Sequence, residues 1–175
     1  AKWYEKAAKQ GYLDAQMRLG LMYESGEGVA KDGAKAAKWY RKAAEQDNLD
    51  AKLRLSVMYE SGDIVVKDSV KAAEWFRKAA KNSLSDAQWH LGLIYENGEG
   101  SIPKDNAKAM FWFLKAAQQG SVNALWHLGE MYRDGKSVPM DDVRAEEWFR
   151  KAAEHDPNRL LSLGDHYSNG TGGFD

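Results

Sequence analysis

The stretch Ala15–Ala44, AQMRLGLMYESGEGVAKDGAKAAKWYRKAA, decides the fold. Its first half sets Ala15, Leu19, Met22 and Tyr23 at helical spacing, so they share one face. Gly26 and Gly28 then break that pattern. A second helical stripe follows at Ala36, Trp39, Tyr40, Ala43 and Ala44. Nearly the same stretch returns at Ala51, at Ala87 and at Ala124.

Outward from that stretch, one period governs the whole chain. Leu19, Leu55, Leu91, Leu128 and Leu163 are spaced by 36, 36, 37 and 35 residues. Tyr23, Tyr59, Tyr95, Tyr132 and Tyr167 keep the same step, as do Trp3, Trp39, Trp75, Trp112 and Trp148. The alanine pairs Ala7-Ala8, Ala43-Ala44, Ala79-Ala80, Ala116-Ala117 and Ala152-Ala153 do likewise. Such a period means stacked units, each burying its apolar face against its neighbours. A glycine inside a helix costs about 1 kcal/mol relative to alanine. Its return at Gly20, Gly92, Gly129 and Gly164, with Ser56 in its place once, therefore points to close helix packing.

The first helix of the quoted unit is expected over about Asp14–Ser25 and the second over about Ala34–Gln46. Gly26, Gly62, Gly98, Gly135 and Gly170 stand where left-handed helix ends favour glycine. Asp32, Asp68, Asp105 and Asp141 stand where the second helices need N-caps. Val29, Val65, Ile102 and Val138 are expected to tuck between the two helices, and Pro103 and Pro139 stiffen two loops. The fold class is all-α, a solenoid of stacked helix-turn-helix repeats with about five helix pairs, the terminal ones incomplete. Full repeats span about 14–49, 50–85, 86–122 and 123–157, with partial ones at 1–13 and 158–175. Pro157 and Arg159 depart from the pattern. The chain opens without methionine inside one repeat and ends inside another, and so reads as one solenoid cut from a longer protein.

Composition narrows the function classes. A net charge of −1 supplies no global field toward nucleic acid or an anionic membrane. No cysteine is present, which excludes a disulfide framework. No apolar run approaches the roughly 18 residues that span a bilayer.

The motif A-x3-L-G-x2-Y-x2-G-x-G-V-x2-D-x3-A-x2-W-(Y/F)-x-K-A-A resembles the Sel-1-like repeat, a relative of the tetratricopeptide repeat with a longer inter-helix loop. Ala15, Leu19, Gly20, Tyr23, Gly26, Gly28, Val29, Asp32, Ala36, Trp39, Tyr40, Lys42, Ala43 and Ala44 fill it. The departures are Ser56, Asp63-Ile64 and one extra residue in the third loop. The resemblance implies a right-handed α-solenoid whose first helices line a concave groove. It implies a non-catalytic adaptor or scaffold that binds a protein or peptide. Many relatives are bacterial and exported, so a periplasmic or secreted place is expected on resemblance alone.

If the groove carries function, its residues lie opposite Leu19 and Tyr23 on the first helices. At 100° per residue these are Met17, Arg18, Leu21 and Glu24, then Leu53, Arg54, Val57 and Glu60. Trp89, His90, Leu93 and Glu96 follow, then Trp126, His127, Glu130 and Arg133. Two tryptophans on a face meant for water are unexpected. They form either an apolar floor for a partner or packing between adjacent first helices. Arg18, Arg54, His90 and His127 form a stripe that would suit an acidic peptide, or would pair with glutamates. No Cys or third His joins the histidines at ligand spacing, so no metal and no cofactor is expected. Lys6, Lys42, Lys78, Lys115 and Lys151 form a ridge read as a solvated convex face, with no nucleic-acid partner.

Ser101-Ile102-Pro103-Lys104 matches the S-x-x-K of penicillin-recognising enzymes, and cysteine-rich relatives have been linked to β-lactams. The alternative is thus an enzyme acting on β-lactam or cell-wall material. With 11 serines and 17 lysines in 175 residues, about one such match arises by chance. No K-T-G follows, and the relatives' cysteines are absent. Exposed end faces also make end-to-end self-association an expectation.

Overall fold

The computed structural model describes residues 1–156 and 158. The repeat positions at Pro157, Arg159, Leu163, Gly164, Tyr167 and Gly170 lie outside them, as does most of the terminal repeat 158–175. Among the described residues every regular element is helical: α1 Lys2–Lys9, α2 Leu13–Ser25, α3 Gly33–Glu45, α4 Leu49–Ser61, α5 Ser69–Ala80, α6 Ser85–Asn97, α7 Asn106–Gln118, α8 Val122–Asp134 and α9 Asp142–His155. The architecture is an all-α solenoid of helical repeats. The quoted stretch begins and ends its two helices within one residue of the expected bounds.

The helices gather into two compact units. The first contains α1 to α5 together with Glu99–Pro103, and the second contains α6 to α9. Within the first unit α2 pairs with α3 and α4 with α5; within the second α6 pairs with α7 and α8 with α9.

Each pair is held by the same local chemistry. Asp32, Asp68, Asp105 and Asp141 accept the backbone N–H of Lys35, Lys71, Lys108 and Arg144 at 2.9, 3.0, 2.9 and 3.0 Å. These bonds satisfy donors that a helix start leaves open. The backbone and side chain of Lys35 hold the Asp32 carboxyl below its ordinary value. Lys71 and Lys108 do the same for Asp68 and Asp105. Gly26, Gly62 and Gly135 end α2, α4 and α8 in the left-handed conformation. Gly98 departs: its φ of 69° comes with a ψ of 109°, at the loop that carries one extra residue. The loops are then closed by a backbone bond. The Asp32 N–H donates to the Tyr23 carbonyl at 2.8 Å, and Asp68, Asp105 and Asp141 repeat this with Tyr59, Tyr95 and Tyr132 at 2.9, 2.8 and 2.9 Å.

The recurring glycine explains how tightly the paired helices meet. A Cβ on Gly20 would lie 2.3 Å from the Tyr40 ring. On Gly92 and Gly129 it would lie 2.2 and 2.5 Å from the rings of Phe113 and Phe149. The second helix therefore lays its aromatic ring on bare backbone of the first. Ser56 takes this place in α4, fully buried, and its hydroxyl donates to the Lys52 carbonyl at 2.7 Å. Leu19, Leu55, Leu91 and Leu128 are fully buried beside these contacts. Each such leucine contributes about 1.5–3 kcal/mol of burial. Val29 packs against the cluster of Ala8, Ala15, Leu19, Met22 and Trp39, as the loop pattern anticipates.

Candidate functional site

In the first unit, α2 and α4 carry the candidate residues Met17, Arg18, Leu21, Leu53, Arg54 and Val57. Met17, Leu21 and Leu53 are half-buried, while Arg18, Arg54 and Val57 are exposed. Leu53, Arg54 and Val57 line an open depression of about 560 Å³. Glu24, Asp50, Met58, Ser61, Asp63 and Ile64 complete its walls. Positions 50, 53, 54, 57 and 61 share one face of α4 by their helical spacing.

The charges here are already partly spent. Arg54 Nη1 lies 3.2 Å from Glu24 Oε2, and the same carboxylate oxygen accepts the Tyr40 hydroxyl in a short bond. Burial, then Glu24, pushes the Tyr40 phenol well above its ordinary pKa. Arg18 Nη2 approaches Glu27 at 3.8 Å. So both cations of this part of the stripe pair with the chain's own glutamates. Asp50 and Asp63 are exposed and, among the described residues, enter no ion pair.

In the second unit, α6 and α8 carry Trp89, His90, Leu93, Glu96, Trp126, His127, Glu130 and Arg133. Sequence spacing puts both tryptophans opposite the core, but the structure buries Trp126 to 8% exposure and half-buries Trp89. The Trp126 ring sits 4.6 Å from that of Phe149 on α9, and its Nε1 donates to Glu130 at 3.0 Å. The Trp89 ring lies 5.1 Å from Phe113 and meets the His127 ring edge-on at 5.4 Å. Glu96, expected on an open groove wall, is only 3% exposed. A helix inside a solenoid is flanked by its own partner and by the next repeat, so the side turned from one contact meets another.

Glu96 is compensated. His127 Nε2 lies 3.0 Å from its Oε2, and Lys136 Nζ lies 3.3 Å from its Oε1. His127 Nδ1 faces Glu130 at 3.6 Å. Burial opposes a charge on His127, but the bonds to Glu130 and Glu96 outweigh it, and the imidazole pKa rises above its ordinary value. The bond from His127 in turn lowers the Glu130 carboxyl. Arg133 is half-buried and bonds Asp134 at 2.7 Å; His90 and Leu93 are also half-buried.

Ser101 is exposed in the loop before α7, which opens only at Asn106, so the S-x-x-K match lacks the helix start that motif uses. No group of three His, Cys, Asp or Glu among the described residues could hold a metal. None of the described helices is long and apolar enough to cross a membrane. The lysine ridge is exposed, with Lys78 lying 3.9 Å over the Trp75 ring and Lys151 4.5 Å over Trp148. Sequence reasoning passed over Asp50, Ser61, Asp63 and Ile64. The signal for Asp50 and Ser61 was present, since each lies three or four residues from another groove position on α4. Asp63-Ile64 stood out only as a departure from the motif. Nothing in the pattern pointed to Lys136 as a partner for Glu96.

Comparison with known proteins follows the same repeats. The model of a family described as Sel1 repeat matches residues 1–12, 13–48, 49–84, 85–121 and 122–157. Among solved structures, a protective antigen of uropathogenic Escherichia coli displaying an SLR fold is 36% identical over 97% of this chain, with a TM-score of 0.83. A Sel1 repeat protein from Oxalobacter formigenes is 35% identical over 91% of this chain, with a TM-score of 0.77. The chain spans 36% and 65% of the lengths of those two proteins. Helicobacter pylori cysteine rich protein B is 26% identical over 76% of this chain and 95% of its own, with a TM-score of 0.59. No curated protein matches the sequence.

Proposed function

Because the chain belongs to the Sel1 repeat family, whose members are generally protein-interaction scaffolds, we propose that it is a non-catalytic adaptor. It binds a protein or peptide on the groove presented by the first helix of each repeat. One observation supports this reading above the others: the open depression on α4 leaves Val57 41% exposed between Leu53 and Ile64. Apolar surface in such a depression gains free energy when a partner covers it. In the second unit the surface offered is smaller, since Trp126 and Glu96 are buried. There Trp89, His90, Leu93, His127, Glu130 and Arg133 are the candidates left partly open.

The test is affinity capture with the whole chain and with a Leu53→Glu, Val57→Glu variant, each checked by circular dichroism. A partner retained by the parent and lost by the folded variant is the expected result. Equal capture by both would move the binding surface elsewhere. The same proposal includes end-to-end self-association through the terminal repeats. Sedimentation that stays monomeric at high concentration would remove that part.

A further inference from the structure

We infer that the depression on α4 seats a cationic, aliphatic peptide segment: a branched aliphatic pair flanked on each side by a lysine or arginine. This rests on the groove reading above and adds the chemistry of the occupant. The floor is aliphatic, built from Leu53, Val57, Met58 and Ile64. Val57 and Leu53 are one helical turn, about 6 Å, apart along α4, so apolar side chains two residues apart on an extended partner, which share one face, can cover both.

The charges select the flanks. The lining carries Glu24, Asp50 and Asp63 against one cation, Arg54. Arg54 and Glu24 occupy each other at 3.2 Å, and Glu24 also holds the Tyr40 hydroxyl. The charges left free are thus the carboxylates of Asp50 and Asp63. Asp50 stands in the first turn of α4 and Asp63 just past its end. The C-terminal end of a helix carries partial negative charge, so Asp63 and the α4 terminus attract a cation together, whereas Asp50 attracts one against the partial positive charge of the helix start, which makes the Asp63 end the stronger of the two. From Asp50 to Ser61 the helix rises about 17 Å at 1.5 Å per residue. An extended segment covers that span in about five residues. The occupant therefore carries its two cations about five residues apart. An acidic segment, by contrast, would bring like charge to both ends and find Arg54 taken.

Three short fluorescent peptides test this against the whole chain by anisotropy. All share a central leucine and valine separated by one residue; their ends carry lysine, glutamine or glutamate. The lysine-ended peptide should bind about tenfold or more tightly than the glutamine-ended one, and the advantage should shrink with added salt, which screens exposed charge. An Asp50→Asn, Asp63→Asn variant should lose that advantage while still binding the glutamine-ended peptide, because both positions are exposed and outside the core. If all three peptides bind alike, or the glutamate-ended one binds best, the charge inference is overturned and the groove reading stands. If none binds, this inference is overturned. The groove reading is then decided by capture with the Leu53→Glu, Val57→Glu variant.

Discussion

Glu24 in the first unit and Glu96 in the second occupy the same repeat position, and each meets the basic residue of the next first helix. The outcomes differ. Glu24 pairs with Arg54, whose side chain is 42% exposed, and also holds the Tyr40 hydroxyl. Glu96 is 3% exposed and pairs with His127 and Lys136. The residue beneath accounts for part of the contrast. Tyr40 brings a hydroxyl to the carboxylate, whereas Phe113 occupies that place in α7 and brings only a ring, 4.7 Å from His127. One repeat geometry thus supports a permanent, partly solvated pair in one region and a buried, titratable one in another. Position within the repeat does not by itself set the strength of the contact.

The largest test of this contrast is removal of each carboxylate. Glu96→Ala takes the buried acceptor from His127, which still faces Glu130, and from Lys136, whose side chain is 55% exposed, and should cost about 3 kcal/mol in urea denaturation. Glu24→Ala should cost less, about 1–3 kcal/mol, chiefly through the hydroxyl left without its acceptor. Equal losses would erase the distinction. The next effect is pH dependence. His127 is raised in the folded protein, so its contribution is complete below the unfolded value of about 6.5 and is lost as pH rises through the folded one. On the acid side, Glu130 is lowered, and its share disappears as pH falls through its folded value. Melting temperature should therefore fall as pH rises above about 6.5, and His127→Gln should flatten that slope. A slope unchanged in the variant would place the titration elsewhere. Converting Arg54→His should leave the first unit's pair weaker at high pH than at low.

Smaller still is Tyr40→Phe, which removes the hydroxyl from Glu24 and imitates Phe113. It should cost about 0.5–1.5 kcal/mol, the usual worth of one such bond. Smallest is Arg54→Ala, below about 1 kcal/mol for a solvated pair. That difference should close in 1 M salt, where charges are screened within about 3 Å. A loss above 2 kcal/mol would mean that Arg54 belongs with His127 after all.

The repeat, the helix bounds, the aspartate caps and the close-packed glycines were legible because each follows from local chemistry. Asp32 caps a helix whatever surrounds it, and Gly20 recurs because the ring of Tyr40 needs its place. The candidate surface was less legible. A helical wheel knows one axis, so it turned Trp126 and Glu96 outward; the structure turns them onto Phe149 and His127. Leu53 and Val57 share one face of α4 and line its depression, yet the carboxylates beside them, Asp50 and Asp63, come from a helix start and a loop outside the wheel's apolar logic. Pairing was the other blind spot. Arg18 and Arg54 read as an open cationic stripe until Glu27 and Glu24 were found against them.

The backbone bond that shuts each loop has a meaning for loop length. Three loops run nine residues from the tyrosine carbonyl to the aspartate N–H, as from Tyr23 to Asp32; the one from Tyr95 to Asp105 runs ten, and its bond is the same 2.8 Å. Loop length is thereby uncoupled from helix register. Lengthening a closed loop costs only about 0.6 kcal/mol per doubling. The loop between α6 and α7 therefore absorbs its extra residue while the bond that ties the start of α7 to α6 keeps its length.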